Sequence, residues 1–229
     1  MTRGSPQPRR HPLLWPALVV VGAALIFGVT AMWVRAGPVG PDAGTLQALE
    51  AARSPLATAT AVAITKVGRG PVSIAIVFLV VAGLLVRGYW REASLLVVAN
   101  LGSLVLDRSV KAIFARPRPP LDLVTRITDP QSFSFPSGHA LSAMVLYTSL
   151  AMVAARLGQP RLKRAAIALA LIMIPVMGFT RVYLGVHYPS DVIGGWALGA
   201  AWVWLVYLGY LAPTQKVPAA LNPTSLLLP

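Results

Sequence analysis

The sequence of 229 residues contains no cysteine, and charged residues make up only 12% of it. Without cysteine, the chain forms no disulfides, no thiolate metal site and no cysteine nucleophile. Soluble domains carry roughly 25% charged residues, so the low charge argues against an ordinary soluble protein. Hydrophobic residues reach 56%, and the mean hydropathy is +0.68. These values are typical of a protein embedded in a membrane.

Acidic residues are also scarce. Seven Asp and Glu stand against twenty Lys and Arg, which gives a formal net charge of +13. Such an excess is found in nucleic-acid-binding proteins, but here the cations are scattered between apolar runs and form no basic stripe or tail. Nucleic acid is therefore not an expected partner, whereas membrane lipids are.

Six apolar runs approach the roughly 20 residues that a membrane-spanning helix needs. They cover residues 13–34, 72–86, 93–110, 140–155, 165–179 and 192–211. The fourth and fifth runs are short enough to be buried helices of a soluble domain, but Arg156 and Arg164 are placed to snorkel at a membrane surface. The sequence therefore predicts an all-α polytopic membrane protein with about six transmembrane helices.

A single membrane domain is expected over residues 13–211, between an N-terminal tail (1–12) and a C-terminal tail (212–229). The second tail contains Pro213, Pro218 and Pro223 and shows no periodicity, so it is expected to be disordered or loosely attached. Residues 35–70 are polar and rich in Gly and Pro, which indicates short helices lying on the surface. The first apolar run resembles a signal peptide but exceeds the roughly 7 to 15 residues of a signal core, which favours an uncleaved anchor.

Six spans place both termini on one side of the membrane, and the positive-inside rule chooses the side. The twenty basic residues divide equally, ten to each side. On the side opposite the two tails, several of these cations can instead be explained as ligands of an anion. When they are left out of the count, the side with the tails carries more positive charge, so both tails are expected in the cytoplasm. Residues 35–70 are then extracytoplasmic, and the protein is expected to be a multi-pass protein of the plasma membrane.

Three polar segments emerge on that extracytoplasmic side: residues 111–120 (KAIFARPRPP), 135–139 (FPSGH) and 180–191 (TRVYLGVHYPSD). Lys111 and Arg118 are seven residues apart, and Arg181 comes from another helix end. Three cations that converge beside hydrocarbon require an anion, and phosphate is the common partner of Arg forks and a Lys charge. The alternative is a set of interfacial cations that contact anionic lipid head groups.

Ser137, Gly138 and His139 precede the fourth run. A serine at a helix start, free backbone N–H groups and a glycine that admits a ligand together form an anion cradle, although they also fit a plain helix start. His187 and Asp191 add an imidazole whose Nδ1–H the carboxylate can accept, leaving Nε2 free to attack or to take a proton. The grouping favours a catalytic site over structural histidines.

The three segments carry the patterns K-x6-RP, PSGH and T-R-x5-H-x3-D, in this order. This resembles the three-part signature of the type 2 phosphatidic acid phosphatase superfamily, which includes undecaprenyl diphosphatases and phosphatidylglycerophosphate phosphatases. Thr180 stands where the family usually has serine, and it keeps the hydroxyl. The motifs span residues 111–191, and the six-span layout extends the resemblance over most of the chain.

The resemblance implies a lipid phosphatase of the acid-phosphatase type that needs no metal or cofactor and forms a phosphohistidine. His187 would be the nucleophile, Asp191 would orient it, and His139 would protonate the leaving oxygen and later activate water. The phosphoryl oxygens would be held by Lys111, Arg118, Ser137, Gly138 and Arg181. Arg116 lies outside the strict spacing and is expected either to support the site or to face lipid.

Among substrates, undecaprenyl diphosphate is expected, because an outward-facing site suits recycling of a carrier released there. Phosphatidylglycerol phosphate and phosphatidic acid are the alternatives.

Other functions fit the same site. It could belong to a phosphotransferase, or to a lipid-binding or transport protein with an inactive anion site. The presence of both histidines and Asp191 argues against an inactive site. A vanadium-dependent oxidant enzyme is not expected, because such enzymes resemble soluble helical proteins. The oligomeric state stays open.

Overall fold

The computed structural model describes residues 13–35, 40–68 and 70–212. Within these ranges the regular structure is entirely helical, which confirms the all-α prediction. The helices are α1 (Leu14–Arg35), α2 (Gly40–Ala51), α3 (Pro55–Gly68), α4 (Pro71–Val86), α5 (Trp90–Phe114), α6 (Gly138–Arg156), α7 (Pro160–Tyr183) and α8 (Pro189–Leu211). The predicted tails lie outside the described residues, apart from Ala212.

Five of the described helices, α1, α5, α6, α7 and α8, are long and apolar enough to cross a membrane. Helix α4 has 16 residues, too few to pass the same test alone. Helices α3 and α4 together, bent by 42°, would make a sixth span. The prediction of about six spans is confirmed, and the second one differs from the expected run at 72–86 because an apolar α3 precedes it.

Helix α6 occupies the centre of the bundle. In the most apolar 18-residue stretch of α6, 61% of the residues are buried, against 22% to 39% in the corresponding stretches of the other four spans. It packs against α5, α7 and α8. Small residues of α8 allow close approach, since a Cβ atom at Gly195 would lie 2.6 Å from the carbonyl oxygen of Ser137. The FPSGH segment at the start of α6 is therefore fixed by neighbouring helices.

The three predicted segments meet at one end of the bundle. Helices α5 and α7 end there, and α6 and α8 begin there, because consecutive spans run antiparallel. Helix α5 stops at Phe114 with Ala115 in a left-handed conformation (φ 43°), just before the Pro117 and Pro119 that predicted the break. The topology thus brings residues distant in sequence to a common site.

Helices α2 and α3 are the short helices expected within residues 35–70, but they are more than a surface layer. Asp42 and Leu46 of α2, and Ala61 and Thr65 of α3, are all buried. Helix α2 packs against α7 and α8, and α3 packs against α4, α6 and α7. These two helices therefore form part of the wall around the site.

The contact between α6 and α8 gives a stability test. Gly195→Ala should lower the thermal midpoint, because the added Cβ would also lie 3.2 Å from the backbone nitrogen of Leu141 and the helices would have to separate. Overpacking of this kind costs about 1–3 kcal/mol. Thermal unfolding in detergent should show the loss for Gly195→Ala and none for Gly209→Ala, a site in the same helix with open space around it in the described part of the chain. Equal midpoints would contradict the account.

Candidate active site

His187 lies in the loop between α7 and α8 and is only 2% exposed. Its Nδ1 is 3.4 Å from Oδ2 of Asp191, in the first turn of α8. The same oxygen accepts the backbone N–H of Tyr188 at 2.9 Å. The carboxylate therefore fixes the start of α8 and faces the imidazole, so the structure brings together the predicted pair.

Ser134 supports the same carboxylate and was not predicted. Its hydroxyl donates to Oδ2 of Asp191 at 2.5 Å and lies 3.4 Å from Nδ1 of His187. Its backbone N–H donates to the carbonyl of Arg116 at 2.8 Å. The only signal in the sequence was a serine directly before FPSGH, which had no spacing rule to single it out.

Arg118 lies at the other nitrogen of His187. Its Nη1 is 3.2 Å from Nε2 and also donates to the carbonyl of Val186 at 2.6 Å. Its Nε donates to the carbonyl of Ser132 at 2.7 Å. The guanidinium is therefore held beside the nitrogen that would attack phosphorus, as expected for a group that binds a phosphoryl oxygen.

Burial lowers the pKa of His187 to about 3. The hydrogen bond and charge of Asp191 oppose this shift in the pKa, and the charges of Arg118 and Arg181 add to it. The imidazole is therefore neutral at physiological pH. With Nδ1 facing the carboxylate, we assign the proton to Nδ1, which leaves the lone pair on Nε2. This is the state that a histidine nucleophile requires.

Lys111 and Arg181 complete the predicted cations, and both are buried. The Nζ of Lys111 is 3.3 Å from Oδ1 of Asp107, one turn earlier in α5, and it also donates to the carbonyl of Pro136. Nη1 of Arg181 donates to Oγ1 of Thr65 in α3 at 2.5 Å. The first cation is thus tied to the FPSGH segment and the second to α3, a contact that the sequence did not indicate.

Ser137 is the N-cap residue of α6, as predicted, but its side chain caps no backbone N–H of the described helix. The hydroxyl is fully buried and has no hydrogen-bond partner among the described residues. Its backbone N–H donates to the carbonyl of Asp191 at 2.9 Å. A buried polar group is costly unless it is paired, so this hydroxyl is suited to a bound anion. Gly138 and half-buried His139 follow in the first turn of α6.

Arg116 is buried, so it supports the site and does not face lipid. Its Nη1 donates to Oδ1 of Asp191 at 2.6 Å and to the Ser190 hydroxyl at 2.8 Å. Its Nη2 donates to Oδ2 of Asp42 at 3.1 Å, and the guanidinium lies 4.1 Å from the Tyr188 ring centroid. The strict motif spacing left this residue out, although it forms the direct ion pair with Asp191.

An open cleft of about 600 Å³ lies beside these cations. It is lined by Lys111, Arg116 and Arg118 of the first segment and by two further arginines, Arg108 and Arg126. Arg126 is 3.2 Å from Asp129, whose side chain is 68% exposed. The cleft is therefore strongly basic and suits an anionic head group.

The helical membrane bundle and this site define the class of the protein. The chain belongs to the PAP2 superfamily, whose family model matches residues 89–214. A crystal structure of a transmembrane PAP2 type phosphatidylglycerolphosphate phosphatase from Bacillus subtilis is similar, with a TM-score of 0.71 at 26% identity. The similarity covers 82% of this chain and 94% of that one.

Relatives with assigned activities are similar over shorter stretches. Phosphatidylglycerophosphatase B of Bacillus subtilis is 31% identical over 158 residues, which is 67% of this chain and 75% of that protein. Undecaprenyl-diphosphatase of Sulfolobus acidocaldarius is 32% identical over 135 residues, 56% of this chain and 60% of that protein. Decaprenylphosphoryl-5-phosphoribose phosphatase of Mycobacterium tuberculosis is 36% identical over 92 residues, 40% and 46% of the two chains. The protein is a PAP2-type membrane lipid phosphatase.

Proposed function

We propose that the protein hydrolyses a lipid phosphate through a phosphohistidine on His187. The observation that carries the proposal is the buried imidazole between Asp191 at Nδ1 and Arg118 at Nε2. Nε2 attacks the terminal phosphorus as the bond from that phosphorus to the leaving oxygen breaks; in a diphosphate this is the bridging oxygen, which leaves with the lipid phosphate. The imidazole then carries a positive charge, which the adjacent carboxylate of Asp191 stabilises.

The transferred phosphoryl group is held by fixed positive charge. Lys111, Arg118 and Arg181 supply the cations, and the Ser137 hydroxyl and the Gly138 N–H add neutral donors. Groups already in place as charge develops stabilise the transition state without reorganisation. The cations are buried or half-buried, so water screens them little.

His139 acts as the general acid and then as the general base. The protonated imidazole of His139 donates to the leaving oxygen, then takes a proton from the water that attacks the phosphohistidine. Cleavage of the bond between nitrogen and phosphorus releases inorganic phosphate and restores neutral His187. Each atom and proton in this sequence is accounted for by the side chains and one water, so we propose a reaction without metal or cofactor.

We place the site on the extracytoplasmic side of the plasma membrane. The opposite end of the bundle, where α4 and α6 end and α5 and α7 begin, carries a dense group of cations: Arg87, Arg91, Arg156, Arg161, Lys163 and Arg164. The basic residues divide equally between the two ends, but once the cations that would bind phosphate are left out, the positive-inside rule favours the cytoplasm for that end. Substrate would then reach the site from the outer leaflet.

The basic cleft favours a head group with two phosphoryl groups. Arg108 and Arg126 line it together with Lys111 and Arg118, two of the cations that would hold the reacting phosphate. Undecaprenyl diphosphate and phosphatidylglycerol phosphate both carry a second phosphoryl group, and phosphatidic acid does not. The outward orientation favours undecaprenyl diphosphate, and the similarity to the Bacillus subtilis relative and to the Bacillus subtilis crystal structure favours phosphatidylglycerol phosphate as the second candidate.

Replacement of the nucleophile tests the mechanism. His187→Ala should reduce phosphate release from lipid phosphates to background, because the variant lacks the proposed nucleophile. Phosphate release by purified protein in detergent should be measured with a chelator present, where the unmodified protein should stay active. Matching elution and thermal midpoints would show that the variant is folded. Substantial activity in folded His187→Ala would exclude the phosphohistidine route.

The substrate proposal has its own test. Arg108→Gln should raise KM about 10-fold for undecaprenyl diphosphate and phosphatidylglycerol phosphate, since a hydrogen bond to a charged group contributes about 1.5–3 kcal/mol. KM for phosphatidic acid should stay within about twofold. The matched control is Arg87→Gln, an exposed arginine at the opposite end. An equal rise for all three lipids, or no rise for any, would contradict recognition of a second phosphoryl group.

A further inference from the structure

Helix α2 delivers a buried acid to the catalytic centre from outside the three motifs. Asp42, in its first turn, is 4% exposed. Its Oδ1 accepts the backbone N–H of Ser190 at 3.0 Å. Its Oδ2 accepts the Ser190 hydroxyl at 2.5 Å and Nη2 of Arg116 at 3.1 Å. All three donors belong to residues that also contact Asp191 or adjoin it in the chain.

These contacts continue to the nucleophile. Arg116 lies between two carboxylates, with Nη2 on Asp42 and Nη1 on Asp191. Oδ2 of Asp191 in turn faces Nδ1 of His187. A buried guanidinium with one carboxylate at each end is held in a single orientation, because a charge-assisted hydrogen bond fixes each end. Asp42 thereby fixes the cation that orients Asp191.

Helix α2 is itself anchored along one face. Asp42, Leu46 and Glu50 are spaced four residues apart, which places them on the same side of a helix. Leu46 is 1% exposed and packs in the cluster that contains Val124 and Tyr188. Glu50 accepts the backbone N–H of Thr125 at 2.8 Å. The helix therefore holds Asp42 through an apolar contact at Leu46 and a polar contact at Glu50.

We propose that Asp42 is a positioning residue for catalysis, which acts through Arg116 and Asp191 on His187. The inference rests on the proposed function of His187 as nucleophile. With Asp42 neutral, Arg116 has one anionic partner instead of two and is free to shift toward Asp191, and Ser190 loses an ionised acceptor. The alignment of the carboxylate with the imidazole then relaxes, whereas the cations that hold phosphate keep their own contacts.

The test compares Asp42→Asn with Leu46→Ala. Asp42→Asn keeps the shape of the side chain and should lower kcat about 10- to 100-fold, comparable to the loss measured when groups that orient metal ligands are replaced. KM should stay within about twofold. Leu46→Ala removes the hydrophobic anchor of the same helix, so it should lower the thermal midpoint while kcat, measured well below that midpoint, stays within about twofold.

The outcomes separate the possible failures. A kcat for Asp42→Asn within twofold of the unmodified protein would overturn the inference, as would equal losses of kcat in Asp42→Asn and Leu46→Ala, which would indicate only a general need for helix α2. His187→Ala is measured alongside. Activity in that variant would overturn the proposed mechanism, whereas an inactive His187→Ala beside a fully active Asp42→Asn would overturn only the role of Asp42.

Discussion

The carboxylate of Asp191 is fully buried at the end of a membrane bundle, and a buried charge persists only where it is paired and hydrogen-bonded. Arg116 supplies the opposite charge at 2.6 Å, and Ser134 and the backbone of Tyr188 supply further donors. Meeting these requirements draws together the end of α5, the segment before α6 and the start of α8. Because this carboxylate is fixed, His187, which faces it, is also held in one position and orientation.

The same constraint explains why the site lies at a helix end. Within the hydrocarbon region, backbone groups must be satisfied inside helices, so irregular segments that can present N–H groups and arginines occur where the spans end. Because α6 is central in the bundle, Ser137 and Gly138 at its start are surrounded by the neighbouring helices. Lys111 reaches them through the carbonyl of Pro136, and Arg181 is held by Thr65. In the proposed reaction, a lipid phosphate would reach the site with its chains still in the bilayer.

Sequence patterns predicted the spans and the motif residues because each depends on local information. Apolar length identifies a span, and the K-x6-RP, PSGH and R-x5-H-x3-D spacings each lie within twelve residues. The partners that orient these residues were missed: Asp42 and Thr65 come from α2 and α3, which carry no motif, and they meet Arg116 and Arg181 only through tertiary packing. The bent α3 and α4 pair was likewise hidden, because neither helix alone has the length of a span.

The central claim is that His187 becomes covalently phosphorylated during turnover. The most direct measurement is rapid quenching of the purified protein during hydrolysis of a lipid phosphate labelled on its terminal phosphoryl group, followed by peptide mapping under alkaline conditions that preserve phosphohistidine. The account predicts label on the peptide that contains His187, formed and lost at rates that match turnover, and none in His187→Ala. Turnover without a labelled enzyme, or label on a different residue, would contradict it.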